Sequence, residues 1–210
     1  MKKAYKIEKG VIVIDRDLTE LDKFVKDFLD ILKKHSDYLI VSGFVSISTG
    51  RTRGTEDVDI LIPFMEESKF NGLFEELIKK GFWCYQGDNP KEVYSYIKRM
   101  INIRFSRKNE MFPNMEFVPI NESKKAKHYE FTHSKKIRIK NFEFKIPPIE
   151  FEIIYKEKIL AGKKDIEDAQ HLRNFFKDIL KKEKFKEYEK IIKLENENLQ
   201  QVSHTSSNHT

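Results

Sequence analysis

At 210 residues, with 39% hydrophobic and 12% aromatic residues, the chain can bury a full core, which excludes wholesale disorder. A single cysteine, Cys84, excludes an intrachain disulfide and a cysteine-based metal cluster, and no apolar run is long enough for a membrane span. The formal charge of +6 is local: Ser123–Lys140 holds seven basic residues and one acid, a net +6 equal to the excess of the whole chain, which suits either a phosphate-bearing partner or a solvated lysine-rich hairpin.

No signal-type apolar run follows Met1-Lys2-Lys3, so a cytoplasmic protein with no membrane partner is expected. Val11–Ile14 reads as an edge strand or half of a hairpin. Asp17 with Glu20 three residues on is the expected capping box of a helix, whose apolar face runs from Leu18 through Phe24 and Phe28 to Leu32. Tyr38–Ser42 is a short buried strand, Gly43 opens a short helix ending near Gly50, and Asp57–Ile62 is a strand that Pro63 stops. Glu66–Lys80 is an amphipathic helix closed by Gly81. Strands are expected at 82–85, 100–105 and 115–120, and a hairpin over 137–146. Pro147-Pro148 marks the one break in composition, with helices expected over 149–161, 165–180 and 185–194. The chain thus divides into an α/β (α+β) domain at 1–146, with a mixed sheet flanked by helices, a helical lobe at 147–195 and a disordered tail at 196–210.

The chemistry concentrates around Asp57 and Asp59. Alternate residues of a strand share a face, so the two carboxylates project together, about 7 Å apart along the backbone. Side by side in an apolar strand they repel each other and cost desolvation, which a divalent cation between them would relieve. Asp15-Arg16-Asp17 repeats the spacing but reads as a strand end and a helix cap. The Asp57/Asp59 copy differs in context. Gly43 begins a helix whose free amides favour phosphate, Arg51 and Arg53 can neutralise phosphate oxygens, and Thr55 can orient Asp57. The histidines show no metal-ligand spacing, Cys84 between Trp83 and Tyr85 reads as a core residue, and Tyr94, Tyr96, Phe105 and Tyr129 read as packing aromatics.

Ser42-Gly43 followed by Arg53-x-Thr55-Glu56-Asp57-Val58-Asp59 resembles the signature of polymerase-beta-like nucleotidyltransferases, with the minimal AbiEii (abortive-infection toxin) type as the nearest match. Lys158, followed by Lys164-Asp165-Ile166-Glu167-Asp168, is similar to that family's second block. The resemblance spans roughly residues 38–62 and 147–175. It implies a nucleotidyltransferase using two Mg²⁺ ions, with Asp57, Asp59 and Glu116 as catalytic and metal-holding acids. Ser42, Gly43, Arg53, Thr55, Lys158 and Asp165 would bind the nucleoside triphosphate (ATP or another NTP). The implied acceptor is RNA, such as a transfer-RNA end, and a cognate antitoxin partner is implied as well. An inactive module that binds nucleotide or RNA, or a transferase acting on a protein or small molecule, is the alternative. Phe44 stands where the family has a small residue, so its side chain has to enter the core if the Gly43 amide is to stay accessible.

Overall fold

The computed structural model describes residues 4–193. The expected tail at 196–210 lies outside them. Two mixed sheets carry the molecule. The first has the order β1-β2-β8-β9, from Tyr5–Glu8 (β1), Val11–Ile14 (β2), Lys135–Ile139 (β8) and Phe142–Ile146 (β9). β1 and β2 form a hairpin, and its turn places Lys9 and Gly10 at φ 50° and 81°, the twist a two-residue hairpin loop requires. The second has the order β3-β4-β7-β6-β5, from Leu39–Ile40 (β3), Asp57–Pro63 (β4), Phe82–Cys84 (β5), Ile103–Arg107 (β6) and Asn114–Ile120 (β7). In it β4 and β7 run parallel and the other neighbours antiparallel.

Seven helices join the strands: Glu20–Leu32 (α1), Gly43–Ser48 (α2), Glu67–Lys79 (α3), Pro90–Lys98 (α4), Lys125–Thr132 (α5), Ile149–Tyr155 (α6) and Lys163–Phe175 (α7). Residues 182–193 are helical as well (α8). The α1 cap is Thr19 with Asp22, not Asp17 with Glu20. The pattern Thr-x-x-Asp recurs two residues later, and Asp22, fully buried, is also gripped by Arg16. α4 and α5 have no counterpart in the sequence reading. α5 has almost no amphipathic pattern, because its buried positions Ala126 and Glu130 are not both apolar. α6 continues into a π-helical turn, Lys156–Leu160, which ends at Ala161 in the left-handed region.

Alternation across the five-stranded sheet places Val58, Ile60, Phe82, Phe105, Met115 and Phe117 on one face, all at 2% exposure or less. Phe28 of α1 and Phe70 and Phe74 of α3 close on this face, with ring centroids 5.4–6.5 Å from Phe82, Phe105 and Phe117. Burying one such ring contributes roughly 1.5–3 kcal/mol, so this aromatic layer is the main cohesive element of the sheet. The helices after Pro148 join the same core through Ile149, Ile153, Ala169, Leu172 and Phe176. On the opposite sheet face, Leu39, Leu61 and Ile120 pack with Val118 and with Phe131 of α5. That covers one end of this face and leaves the end that bears the acids.

Candidate active site

Parallel pairing of β4 with β7 sets Asp59 directly opposite Glu116 and Asp57 opposite Asn114. Cross-strand partners project to the same side, so the three acids share one face. The residues between them, Val58 and Met115, point into the core. Ser42 caps α2 at φ 63°, an unfavourable backbone angle for a non-glycine residue, and its side chain favours the charged form of Asp59. Thr55 donates to the Asp57 carbonyl at 2.8 Å, which fixes the turn that leads into β4.

The electrostatics of the acids are uneven. Burial pushes the Asp59 carboxyl up to about 6; the charges of Asp57 and Glu116 add to this, and Ser42 and Lys127 oppose it. Glu116 takes Arg104 at 2.8 Å on one oxygen and Asn102 at 2.8 Å on the other. Consistent with that engagement, among the described residues no group of three or more His, Cys, Asp or Glu side chains is gathered tightly enough to hold a metal ion. Asp57 and Asp59 supply two hard oxygen donors whose mutual repulsion a divalent cation fits.

Beside the acids lies a cationic corner. Gly43 begins α2, and a Cβ there would stand 2.0 Å from Arg53 Nη2, so the guanidinium rests directly on the helix start. Arg53 reaches Asp168 at 3.2 Å, Arg51 reaches Asp168 at 2.5 Å and Glu167 at 2.8 Å, and the fully buried Lys156 reaches Asp168 at 3.1 Å. Asp168 is therefore the counter-charge that assembles the corner. A cavity of about 810 Å³ opens next to it, lined by Arg51, Arg53, Thr55, Asp57 and Lys164 among others. Phe44 is 1% exposed and meets Phe144 edge-on at 5.5 Å, so it has entered the core and does not itself crowd the start of α2.

Two expected nucleotide contacts, Lys158 and Asp165, are not among the residues that line this cavity. Lys158, 59% exposed on its side chain, is paired with Glu189 at 3.8 Å. Asp165 sits in the first turn of α7, its carboxylate against Gly162. Lys127 is the lysine whose charge acts on Asp59. It lies one turn before Phe131 on α5, the helix that covers the end of the acid face. Burial opposes its charge, yet Glu130 at 2.9 Å and the Tyr155 ring at 3.9 Å hold its ammonium above the ordinary lysine range. Lys127, Lys156, Asn102 and Arg104 were not singled out in the sequence. Their spacing carries no signal, because they come from three separate segments: α5, the π-helical turn after α6, and the start of β6. Cys84 matches its reading, with burial pushing the thiol up to about 11.

No model of a known protein family matches this chain. No curated protein matches it either. Among solved structures it is similar to an antigenic nucleotidyltransferase-like protein from Paracoccidioides brasiliensis, 17% identical, with 75% of this chain and 76% of that one covered at a TM-score of 0.48. No helix among the described residues is long and apolar enough to cross a membrane.

Proposed function

We propose that the protein is a Mg²⁺-dependent nucleotidyltransferase that moves a nucleoside monophosphate from an NTP to an acceptor hydroxyl, with RNA as the acceptor. The observation that carries this reading is the register of β4 against β7, which joins Asp59 to Glu116 with Asp57 on the same face. Asp57 and Asp59 are the residues that would hold the metal, with Glu116 as the third acid. Mg²⁺ bound there would neutralise charge on the triphosphate and on the phosphoryl group in transfer. The chain's own residues do the rest. Ser42 favours the charged form of Asp59, while Arg53, the Gly43 amide and Lys164 present positive charge to phosphate oxygens. The acceptor oxygen forms its bond to the α-phosphorus as the bond to the β-phosphate oxygen breaks. The hydroxyl proton passes to Glu116, and pyrophosphate leaves.

The AbiEii-type assignment, a cognate antitoxin and a cytoplasmic location rest on the sequence resemblance. A second reading is an inactive module that binds nucleotide or RNA. It is favoured by one observation, the engagement of both Glu116 oxygens by Arg104 and Asn102. Incubation with each α-labelled NTP, Mg²⁺ and total RNA separates the two. Label moving into RNA with the wild type, and lost with Asp57→Asn and Asp59→Asn, is the expected result. Nucleotide binding with no transfer to RNA, protein or small molecules would establish the module instead.

A further inference from the structure

The acid-bearing face continues past the acids to the far edge of the sheet. One row runs Asp59–Glu116–Arg104, and the Tyr85 amide donates to the Arg104 carbonyl at 2.9 Å to extend it. The next row runs Asp57–Asn114–Ser106–Trp83. Partners in a row share a side, so Trp83 and Tyr85 stand on the face of the acids, three strand spacings or about 14 Å away. Their neighbours Phe82 and Cys84, each 2% exposed, serve the core on the other side. The two outward rings are stacked on each other with centroids 4.7 Å apart at 19°.

The loop between β6 and β7 holds this pair in place. Its Glu110 carbonyl accepts the indole N–H at 2.9 Å, and its Met111 carbonyl accepts the Tyr85 hydroxyl. The same loop leaves Met111 and Phe112 at 53% and 52% exposure beside the pair. Arg104, with a side chain 43% exposed, lies between the aromatics and the acids. Trp83 and Tyr85 are half-buried and Phe112 is exposed; aromatic rings presented beside a cation are how proteins hold single-stranded nucleic acid, through base stacking and backbone neutralisation. β5 is only three residues long, too short an edge to take a peptide strand as a partner.

We propose that this face is the acceptor-binding surface for a single-stranded RNA end. A base stacks at the Trp83–Tyr85–Phe112 edge, a phosphate lies at Arg104, and the terminal hydroxyl reaches Asp57 and Asp59. At the spacing of stacked nucleotides, about 3.4 Å, the 14 Å span corresponds to about four residues. The placement of the hydroxyl rests on the transferase reading; the stacking surface does not.

Trp83 is the only tryptophan, so its emission reports this site alone. The probe is an unstructured ten-nucleotide oligoribonucleotide added without NTP, with binding also followed by anisotropy of a labelled copy. The expected result is quenching of Trp83 emission that weakens with added salt. Affinity should fall fivefold to about a hundredfold in Trp83→Leu and in Phe112→Ala. Because Phe112 is exposed, its variant should melt like the wild type, which keeps the test independent of folding. Unchanged emission at saturating oligonucleotide, or wild-type affinity in both variants, overturns the proposal. So does transfer of label only to protein, with no oligonucleotide bound. Quenching of the wild-type protein with no transfer of label by that same wild-type protein upholds the surface and removes the transferase reading. Transfer to RNA without quenching does the reverse.

Discussion

Asp59 is held away from its most stable protonation state, and this has a consequence for stability. Its carboxyl in the folded protein titrates near 6, above the ordinary value of 3.8. A carboxyl raised by folding favours the native state only when protonated. Its contribution is complete below about pH 4 and is lost as the pH rises through about 6. At 1.36 kcal/mol per pH interval the loss amounts to about 3 kcal/mol. Asp59→Asn should therefore melt about 6–12 °C higher than the wild type at pH 8, and the gap should close below pH 4 in a scanning fluorimetry series. The same substitution should abolish transfer, the trade between stability and activity expected of a charged site. At Gly43 the obstacle to a side chain is a flexible guanidinium rather than backbone. Gly43→Ala should then cost less than about 1 kcal/mol by denaturant unfolding, yet reduce transfer at least tenfold by driving Arg53 out of its place.

Among the elements, α7 decides whether the cationic corner exists. Asp168 from its second turn meets Arg51, Arg53 and Lys156. Thr49, at the end of α2, donates its hydroxyl to the Ser46 carbonyl at 2.8 Å, so the His171 Nε2–H must donate to Thr49 at 2.9 Å and tie α7 to α2. Burial and the charge of Arg51 hold His171 below its ordinary range, which suits this neutral form. Asp168→Ala would leave the fully buried Lys156 with only Glu152 at 3.4 Å. A loss of about 3–5 kcal/mol in chemical denaturation is expected. Adding Lys156→Met to Asp168→Leu should recover part of that loss, since Arg51 retains Glu167. For α5, Lys127→Met should lower transfer tenfold or more, whereas Lys158→Met, at an exposed pair, should change it less than about twofold. If the two lysine variants behave in the opposite way, Lys158 is the nucleotide contact and α5 only covers the sheet.

Over the whole molecule the basic stretch 123–140 is far less available than its charge suggests. Lys136 pairs with Glu143, Arg138 with Glu8, and Lys140 with Asp15 and Asp17. The acids come from β1, from the turn after β2 and from β9, all brought alongside by the four-stranded sheet. Such exposed pairs contribute little stability, at most about 1 kcal/mol each. They do reduce the positive potential that a phosphate backbone would meet. Lys136→Gln combined with Lys140→Gln should therefore leave the affinity for a single-stranded oligonucleotide within about twofold of the wild type in a salt titration, with an unchanged salt slope. A clear drop in the slope would return the stretch to the binding surface.

Local pattern was enough for the elements with strong periodicity. The Phe24–Phe28–Leu32 helix, the Asp57–Asp59 strand and the Pro148 break all follow from side-chain alternation or chain stiffness, which act within a few residues. The same period of two places Asp57 and Asp59 on one face, and the family resemblance adds Glu116 as the third acid. Pairing across distance could not be read in this way. That Glu116 faces Asp59 but is held by Arg104, and that Trp83 shares a face with the acids, are decided by sheet register; that Asp168 collects three cations from two segments is decided by where α7 packs. Register is set by the packing of the Phe28, Phe70 and Phe74 layer beneath the strands rather than by any local run. The acid pair belongs to the sequence by itself. Its neighbours, and so its chemistry, belong to the tertiary structure, because charges felt across a few ångströms depend on which strands and helices the core brings together.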